Sequence, residues 1–220
     1  MTSRAAGRLP LMLASALALV TAASAEELSF STADGGTVVA DAYGERGRDA
    51  VVLAPGAVFD KGSWRPQAER LAAGRRVLAI DFRGHGRSRA GSEPDALYQD
   101  VLAAVRHLRA EGSKRVAVVG GSLGAAAAAR AAIAAPPGEI DRLVLLAPAA
   151  FEGADRLRIR TLFVVSVDEP SAARVHALYE RTSGPKRLLE LPGAAHAQHV
   201  FATEQGERLV AAILDFVAEP

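Results

Sequence analysis

The sequence contains no cysteine, and this absence excludes several kinds of chemistry. A chain without thiols forms no disulfide, offers no thiolate nucleophile and cannot build a cysteine-ligated zinc site. Its acids and histidines also lack the spacing on one element that metal ligation needs, so we expect no metal and no other cofactor. The stability of the fold therefore has to come from its hydrophobic core.

The sequence also lacks an excess of charge of either sign. It has 26 Lys and Arg against 25 Asp and Glu, which gives a net charge of +1. This balance argues against nucleic acid or an anionic membrane as the main partner. No internal repeat or low-complexity linker divides the chain, and its length suits one domain with a substantial core.

No apolar run is long enough for a comfortable membrane span, but the N-terminus resembles a secretory signal. Arg4 and Arg8 supply positive charge, residues 9–20 are apolar, and the small residues Ala-Ser-Ala end at Ala25. We expect cleavage after Ala25, export to a periplasm or the medium, and no membrane attachment afterwards. Residues 26–220 would then form a single domain. An uncleaved N-terminal anchor is the alternative.

Apolar strands that alternate with helices predict an α/β fold. Residues 28–32 and 37–43 flank a glycine turn and predict an N-terminal antiparallel hairpin. The later strands are apolar throughout, which indicates a mostly parallel, doubly wound sheet covered on both faces. Ligands bind such sheets beyond the carboxyl ends of the strands. Further strands are predicted over residues 49–54, 76–82, 142–147, 160–167 and 187–191, and helices over 64–73 (with Ser63 as its cap), 94–110, 171–181 and 203–218.

The most informative segment has the pattern Gly-x-Ser-x-Gly around Ser122. An apolar run precedes this serine and an alanine-rich run follows it, which predicts a sharp strand-to-helix turn with the hydroxyl at its tip. The free N–H groups of the helix start would face a developing oxyanion. An inert turn is the alternative. A phosphate-binding loop is disfavoured, because no Gly-Lys-Ser/Thr follows and the Gly-x-Gly-x-x-Gly spacing is absent.

A serine hydroxyl needs a base, and histidine has a suitable pKa near neutrality. His196 follows the last predicted strand directly and is our candidate, with His199 as its competitor. His85, in a glycine-rich loop, is a further candidate for contact with the site. The imidazole in turn needs a carboxylate, and two adjacent acids, Asp168 and Glu169, follow another strand. Either acid could instead be an exposed charge near a helix start.

The order nucleophile, acid, base resembles that of α/β-hydrolase-fold enzymes. The resemblance covers nearly all of the chain after Ala25. Four motifs carry it, each at the end of a predicted strand: LAPGA at 53–57, DFRGHGRS at 81–88, GGSLG at 120–124 and LPGAAH at 191–196. The second motif is a structural hallmark of the family, so His85 inherits no catalytic role from it.

The resemblance implies a small esterase-like serine hydrolase that cleaves carboxylic esters or thioesters of small-molecule or acyl-ester substrates. Ser122 would form the acyl-enzyme, His196 would act as the base, and the N–H groups of Ala57 and Leu123 would form the oxyanion hole. For the acid, the family pattern of a carboxylate just before proline favours Glu169. Aspartate is the commoner residue type, and on that ground we prefer Asp168.

The chain departs from the family pattern at two places. Pro55 stands where the family usually has a histidine that supports the oxyanion loop. Residues 148–158 are too few to build a cap, so we expect an open site. Phe59 and Trp64 either line that site or pack the first helix on the sheet. The same triad could act on amides or in perhydrolysis, and a non-catalytic binding protein of this fold is the alternative of a different class.

Overall fold

The computed structural model describes residues 25–219, so the predicted signal segment lies outside the described residues except for Ala25. The strands are β1 Glu26–Ser31, β2 Thr37–Tyr43, β3 Asp49–Ala54, β4 Arg76–Ile80, β5 Arg115–Gly121, β6 Arg142–Leu146, β7 Arg160–Ser166 and β8 Lys186–Leu191. The α-helices are α1 Arg65–Leu71, α2 Leu97–Ala110, α3 Leu123–Ala134, α4 Ala172–Arg181 and α5 Gly206–Ala218. Single 3-10 helices cover Lys61–Trp64, Ala154–Arg156 and Ala197–Ala202.

Within residues 25–219 the strands form one eight-stranded sheet in the order β1-β2-β4-β3-β5-β6-β7-β8. β1 pairs with β2, and β2 with β4, in antiparallel register, while all later pairs are parallel. The predicted α/β class and the N-terminal hairpin are therefore confirmed. β3 and β5 lie at the centre of the sheet, so the loops that follow them open at the middle of its carboxyl edge.

Two apolar clusters cover the two faces of the sheet. The side chains of successive strand residues point to opposite faces, so Val52 joins the cluster beneath α2, α3 and α4, and Leu53 joins that beneath α1 and α5. Val52 and Leu53 are both fully buried. The burial of each such side chain stabilises the fold by about 1.5–3 kcal/mol. The doubly wound arrangement follows from strands that are apolar on both faces.

Helix α3 packs closely on the sheet because its residues are small. Six of its alanines are buried. A Cβ added at Gly124 would lie 2.3 Å from the carbonyl oxygen of Ala54, and one at Gly120 would lie 2.5 Å from the carbonyl oxygen of Gly124. Only glycine fits at these two positions, so the start of α3 rests directly on β3 and β5.

Several helix boundaries differ from the predicted ones. The predicted cap Ser63 is wrong, because the Asp60 carboxylate accepts the Ser63 N–H and starts a 3-10 turn. The α-helix begins only at Arg65, since the following proline suits a first turn. α5 begins later than predicted, because Thr203 ends the preceding 3-10 helix by donating its hydroxyl to the Val200 carbonyl.

The connection from β6 to β7 contains one 3-10 turn, Ala154–Arg156, and no cap among the described residues. The carboxyl edge of the sheet is therefore uncovered, as expected. Across residues 25–219 no helix combines the length and the apolar character needed to cross a bilayer.

Candidate active site

Ser122 lies at the tip of the turn between β5 and α3. Its backbone has φ 50° and ψ −109°, a conformation that a residue with a Cβ adopts only under strain. The turn is held by the Ser122 N–H, which donates to the Leu146 carbonyl at 2.8 Å, and by the Ser122 carbonyl, which accepts from Ala126 and Ala149. This strained turn presents the hydroxyl at the carboxyl edge of the sheet.

His196 lies in the loop after β8, and its side chain reaches Ser122 at the same carboxyl edge of the sheet. Its Nε2 lies 2.9 Å from Ser122 Oγ, and its Nδ1 lies 2.5 Å from a carboxylate oxygen of Glu169. A carboxylate can only accept, so Nδ1 carries the hydrogen, Nε2 is the acceptor, and the serine hydroxyl donates to it. The imidazole side chain is 40% exposed, so one side of it faces solvent.

The carboxylate beside His196 belongs to Glu169, which corrects our preference for Asp168. The Glu169 side chain is completely buried, and its second oxygen accepts the Ser166 N–H at 3.3 Å. Asp168 is exposed, and its N–H donates to the Gly193 carbonyl at 3.0 Å, which joins the loop after β7 to the loop after β8. The turn after β7 directs the shorter acid outward, and the longer glutamate reaches back to the imidazole.

The two expected oxyanion donors lie in the segments that follow β5 and β3. The N–H of Leu123 is the first of α3, and the N–H of Ala57 lies in the loop after β3. Neither N–H has a hydrogen-bond acceptor among the described residues. The N–H of Leu123 has none because the first N–H groups of a helix have no intrahelical partner. In the loop after β3, the hydrogen bonds are made by the N–H groups of Gly56 and Phe59 and not by that of Ala57. Both remain available to a substrate oxygen.

The loop after β3 is supported at two points. At its start, the Gly56 N–H donates to Gln198 Oε1 at 2.7 Å. At its end, the Lys61 N–H donates to Asp81 at 2.8 Å, and burial raises the pKa of this aspartate. Sequence reasoning missed Gln198 because its partner is 142 residues away, although its position two residues after His196 was a usable signal.

The remaining sequence candidates take different places. His85 lines an open cleft of about 470 Å³ beside the loop after β3. None of Ser122, Glu169 and His196 lines that cleft. His199 packs against Phe59, with ring centroids 5.0 Å apart, and so is not the base that the serine meets. Trp64 is fully buried against Phe201. The residues lining the cleft are Ala57, Val58, Phe59, Asp60, His85 and Gly86.

Arg83 of the second motif forms a buried ion network beside the site. Its guanidinium contacts Asp100 at 2.7 Å and Asp34 at 2.8 Å, and all three side chains are at least 97% buried. Hydrogen bonds from Arg83 hold the pKa of Asp34 well below its usual range, whereas complete burial raises that of Asp100. The motif ties the loop after β4 to the first hairpin and to α2.

Across residues 25–219 no group of three or more histidine and acidic side chains has the geometry to hold a metal ion. The three central side chains of the candidate site are those of Ser122, His196 and Glu169. A larger cleft of about 550 Å³ between α2, α3 and the loop after β6 contains none of these three residues.

A family model described as the alpha/beta hydrolase family matches residues 51–214. That range contains Ser122, Glu169 and His196, together with the loops that carry the two free N–H groups.

The solved structures similar to this chain include an esterase, an enol-lactonase and an epoxide hydrolase. An esterase of Pyrococcus furiosus matches with a TM-score of 0.76 and 19% identity over 88% of this chain and 89% of its own. An enol-lactonase of Burkholderia xenovorans matches with a TM-score of 0.72 and 18% identity over 87% of this chain and 100% of its own. An epoxide hydrolase of Mycobacterium thermoresistibile matches with a TM-score of 0.71 and 19% identity over 88% of this chain and 98% of its own. At these identities the likeness shows the shared fold.

Proposed function

Because the chain belongs to the α/β-hydrolase family, we propose that it is a serine hydrolase that cleaves carboxylic esters or thioesters through an acyl-enzyme on Ser122. One observation carries the proposal: a continuous hydrogen-bonded path runs from Ser122 Oγ through both nitrogens of His196 to the buried Glu169 carboxylate. This path provides an activated nucleophile, a base and a group that orients the base.

In the first step Ser122 Oγ attacks the substrate carbonyl carbon while His196 Nε2 takes the hydroxyl proton. The carbonyl oxygen becomes an oxyanion that accepts from the N–H groups of Ala57 and Leu123. Glu169 stabilises the imidazolium, which then gives its proton to the departing alcohol or thiol as the C–O or C–S bond breaks. The acyl group remains on the serine.

In the second step water attacks the acyl-enzyme, and His196 takes a proton from that water. A second tetrahedral intermediate collapses to the free acid and returns the proton to Ser122. Hydrolysis is favoured over acyl transfer because the β6–β7 connection leaves the site open to water.

The surroundings of the serine support an apolar substrate group. Val58 is 81% exposed and follows Ala57 directly, and Val167 is 48% exposed at the end of β7. These are the large hydrophobic side chains that residues 25–219 leave exposed, and both stand where strands end near the site. With the cleft beside Val58, they offer contact to an acyl or alcohol chain without enclosing it.

The test is hydrolysis of p-nitrophenyl esters from acetate to palmitate by the wild type and by Ser122→Ala. We expect the variant to lose about 10⁴-fold or more in kcat while it unfolds at the same temperature. Ser113→Ala is the matched control, because Ser113 lies before β5 at the opposite edge of the sheet. Equal activity of wild type and Ser122→Ala would sink the proposal, and a protein that turns over no ester, amide or thioester would favour a binding role.

We further propose that the protein acts after export, with the signal segment removed after Ala25. Fractionation of the producing cells and N-terminal sequencing of the active fraction test this directly. Glu26 as the first residue of the exported protein would support it, and an intact Met1 in the soluble cell interior would refute it.

A further inference from the structure

Gln198 connects the segment after His196 to two points of the β3–α1 connection through one side chain. It lies two residues after His196, yet its amide reaches the loop after β3, where Oε1 accepts the Gly56 N–H at 2.7 Å. Its Nε2 donates to Ser63 Oγ at 2.9 Å. Gln198 is 6% exposed, and its bond to Gly56 is buried, whereas its bond to Ser63 is partly buried.

The orientation of this amide is settled by its partners. A backbone N–H can only donate, so the group facing Gly56 is the amide oxygen and the group facing Ser63 is the NH₂. Ser63 then donates its own hydrogen to the Asp60 carbonyl at 2.6 Å. The result is a one-directional chain of hydrogen bonds from Gly56 through Gln198 and Ser63 to Asp60, which ties both ends of an otherwise exposed loop to one buried side chain.

Gln198 also borders the nucleophile turn. A Cβ added at Gly121, the residue before Ser122, would lie 3.0 Å from Gln198 Oε1. Between His196 and Gln198, Ala197 has φ 48°, which is strained for a residue with a Cβ. This local kink lets two side chains that are nearly adjacent in sequence serve different partners, the serine and the oxyanion loop.

We propose that Gln198 is a positioning residue of the oxyanion hole, an inference that rests on the proposed hydrolase function. It fixes the loop at Gly56 so that the N–H of the next residue, Ala57, faces the substrate oxygen. It also occupies the Gly56 N–H, which leaves Ala57 and Leu123 as the donors. Pro55 has no side-chain hydrogen-bonding group, and Gln198 supplies the support for this loop from a distant part of the chain.

A neutral amide suits this role better than a carboxylate would. Glutamate at position 198 would still accept the Gly56 N–H, but its negative charge would lie one residue from Ala57, where the oxyanion develops. We therefore expect Gln198→Glu to keep the loop in place and still lower kcat, whereas Gln198→Leu removes the loop support itself.

The experiment compares Gln198→Leu with Gln67→Leu, a matched change at a residue whose buried Oε1 has no hydrogen-bond partner among the described residues. We expect kcat/KM to fall roughly 10- to 100-fold in Gln198→Leu and to stay within twofold of wild type in Gln67→Leu. A phenylboronic acid, which forms a tetrahedral adduct with a catalytic serine, should lose affinity by the same factor. Unchanged kcat/KM in folded Gln198→Leu would overturn the inference.

A second measurement does not depend on activity. We expect hydrogen exchange of the Gly56 amide, followed by NMR, to be slow in the wild type and in Gln198→Glu, and at least about tenfold faster in Gln198→Leu. Fast exchange at Gly56 in the wild type would overturn the inference even if every variant failed to fold. Slow exchange in a wild type that hydrolyses no ester would instead count against the proposed function alone.

Discussion

Two hydrogen-bonded networks of side chains lie at the same edge of the sheet, and only one of them is fully buried. One joins Arg83 to Asp34 and Asp100 after β4, and the other joins His196 to Glu169 after β7 and β8. Their contact distances are alike, between 2.5 and 2.8 Å. Distance therefore does not distinguish a structural ion network from a candidate catalytic one.

The difference lies in what remains unpaired. The Arg83 side chain is 1% exposed, and its donors are used by the two aspartates and a backbone carbonyl. The imidazole of His196 is 40% exposed, and beyond it Ser122 Oγ stands on a strained turn with its oxygen facing no partner other than Nε2 among the described residues. A closed network contributes to the free energy of unfolding, whereas an open one leaves groups free to act on a substrate.

The largest expected effect separates the two adjacent acids. Glu169→Gln should lower kcat roughly 10³- to 10⁴-fold, because an amide at this place no longer fixes the imidazole tautomer or stabilises its charged form. Asp168→Asn, at the exposed neighbour, should stay within about threefold of wild type, as expected of a surface change. Steady-state rates on one ester decide between them, and a severe loss only in Asp168→Asn would restore our first preference.

The next effect concerns the closed network. Arg83→Ala leaves two buried carboxylates without a counter-charge, so we expect the free energy of unfolding to fall by about 3–5 kcal/mol. The fraction that stays folded should keep its kcat. Urea unfolding measures the loss, and Arg65→Ala is the control, because its pair with Glu69 is exposed and contributes at most about 0.5 kcal/mol. Similar losses in the two variants would contradict the distinction by burial.

The smallest effect is a dependence of stability on pH. Hydrogen bonds from Arg83 lower the pKa of folded Asp34, so its stabilising contribution is complete above the usual value of 3.8 and is lost as the pH falls below that value. We expect Asp34→Asn to be about 1–3 kcal/mol less stable than wild type at pH 7. That gap should narrow below pH 3.8 in unfolding curves measured across the acid range. A gap independent of pH would mean that the Asp34 charge contributes nothing.

Much of the fold could be predicted from the sequence. Strands such as β3 are apolar on both faces, and this pattern indicates a parallel sheet between two layers of helices without any knowledge of distant contacts. Helix starts were less predictable. The first helix begins after a 3-10 turn that depends on the Asp60 carboxylate, and a competing cap at Ser63 matched the same pattern.

The site could be predicted as far as local spacing determines it. Ser122 directly follows β5 and His196 lies in the loop after β8, so topology brings both to the same edge of the sheet. The acid could not be predicted in this way, because Asp168 and Glu169 both lie in the turn after β7 and only the path of that turn decides which one is buried. The partner of Gln198 could not be predicted for another reason: its hydrogen bond to Gly56 joins positions that no local pattern relates, and only its place two residues after His196 marked it as a candidate.

The most direct test of Ser122 as the nucleophile is covalent labelling with a fluorophosphonate. This reagent reacts with an activated serine and releases fluoride. Trypsin cleaves after Arg115 and Arg130, and the peptide between them contains Ser122 as its single hydroxyl-bearing residue. We predict one adduct per chain on that peptide, lost in Ser122→Ala and strongly slowed in His196→Ala. A folded protein that takes up no label, or takes it up on another peptide, would contradict the assignment of Ser122 as the nucleophile.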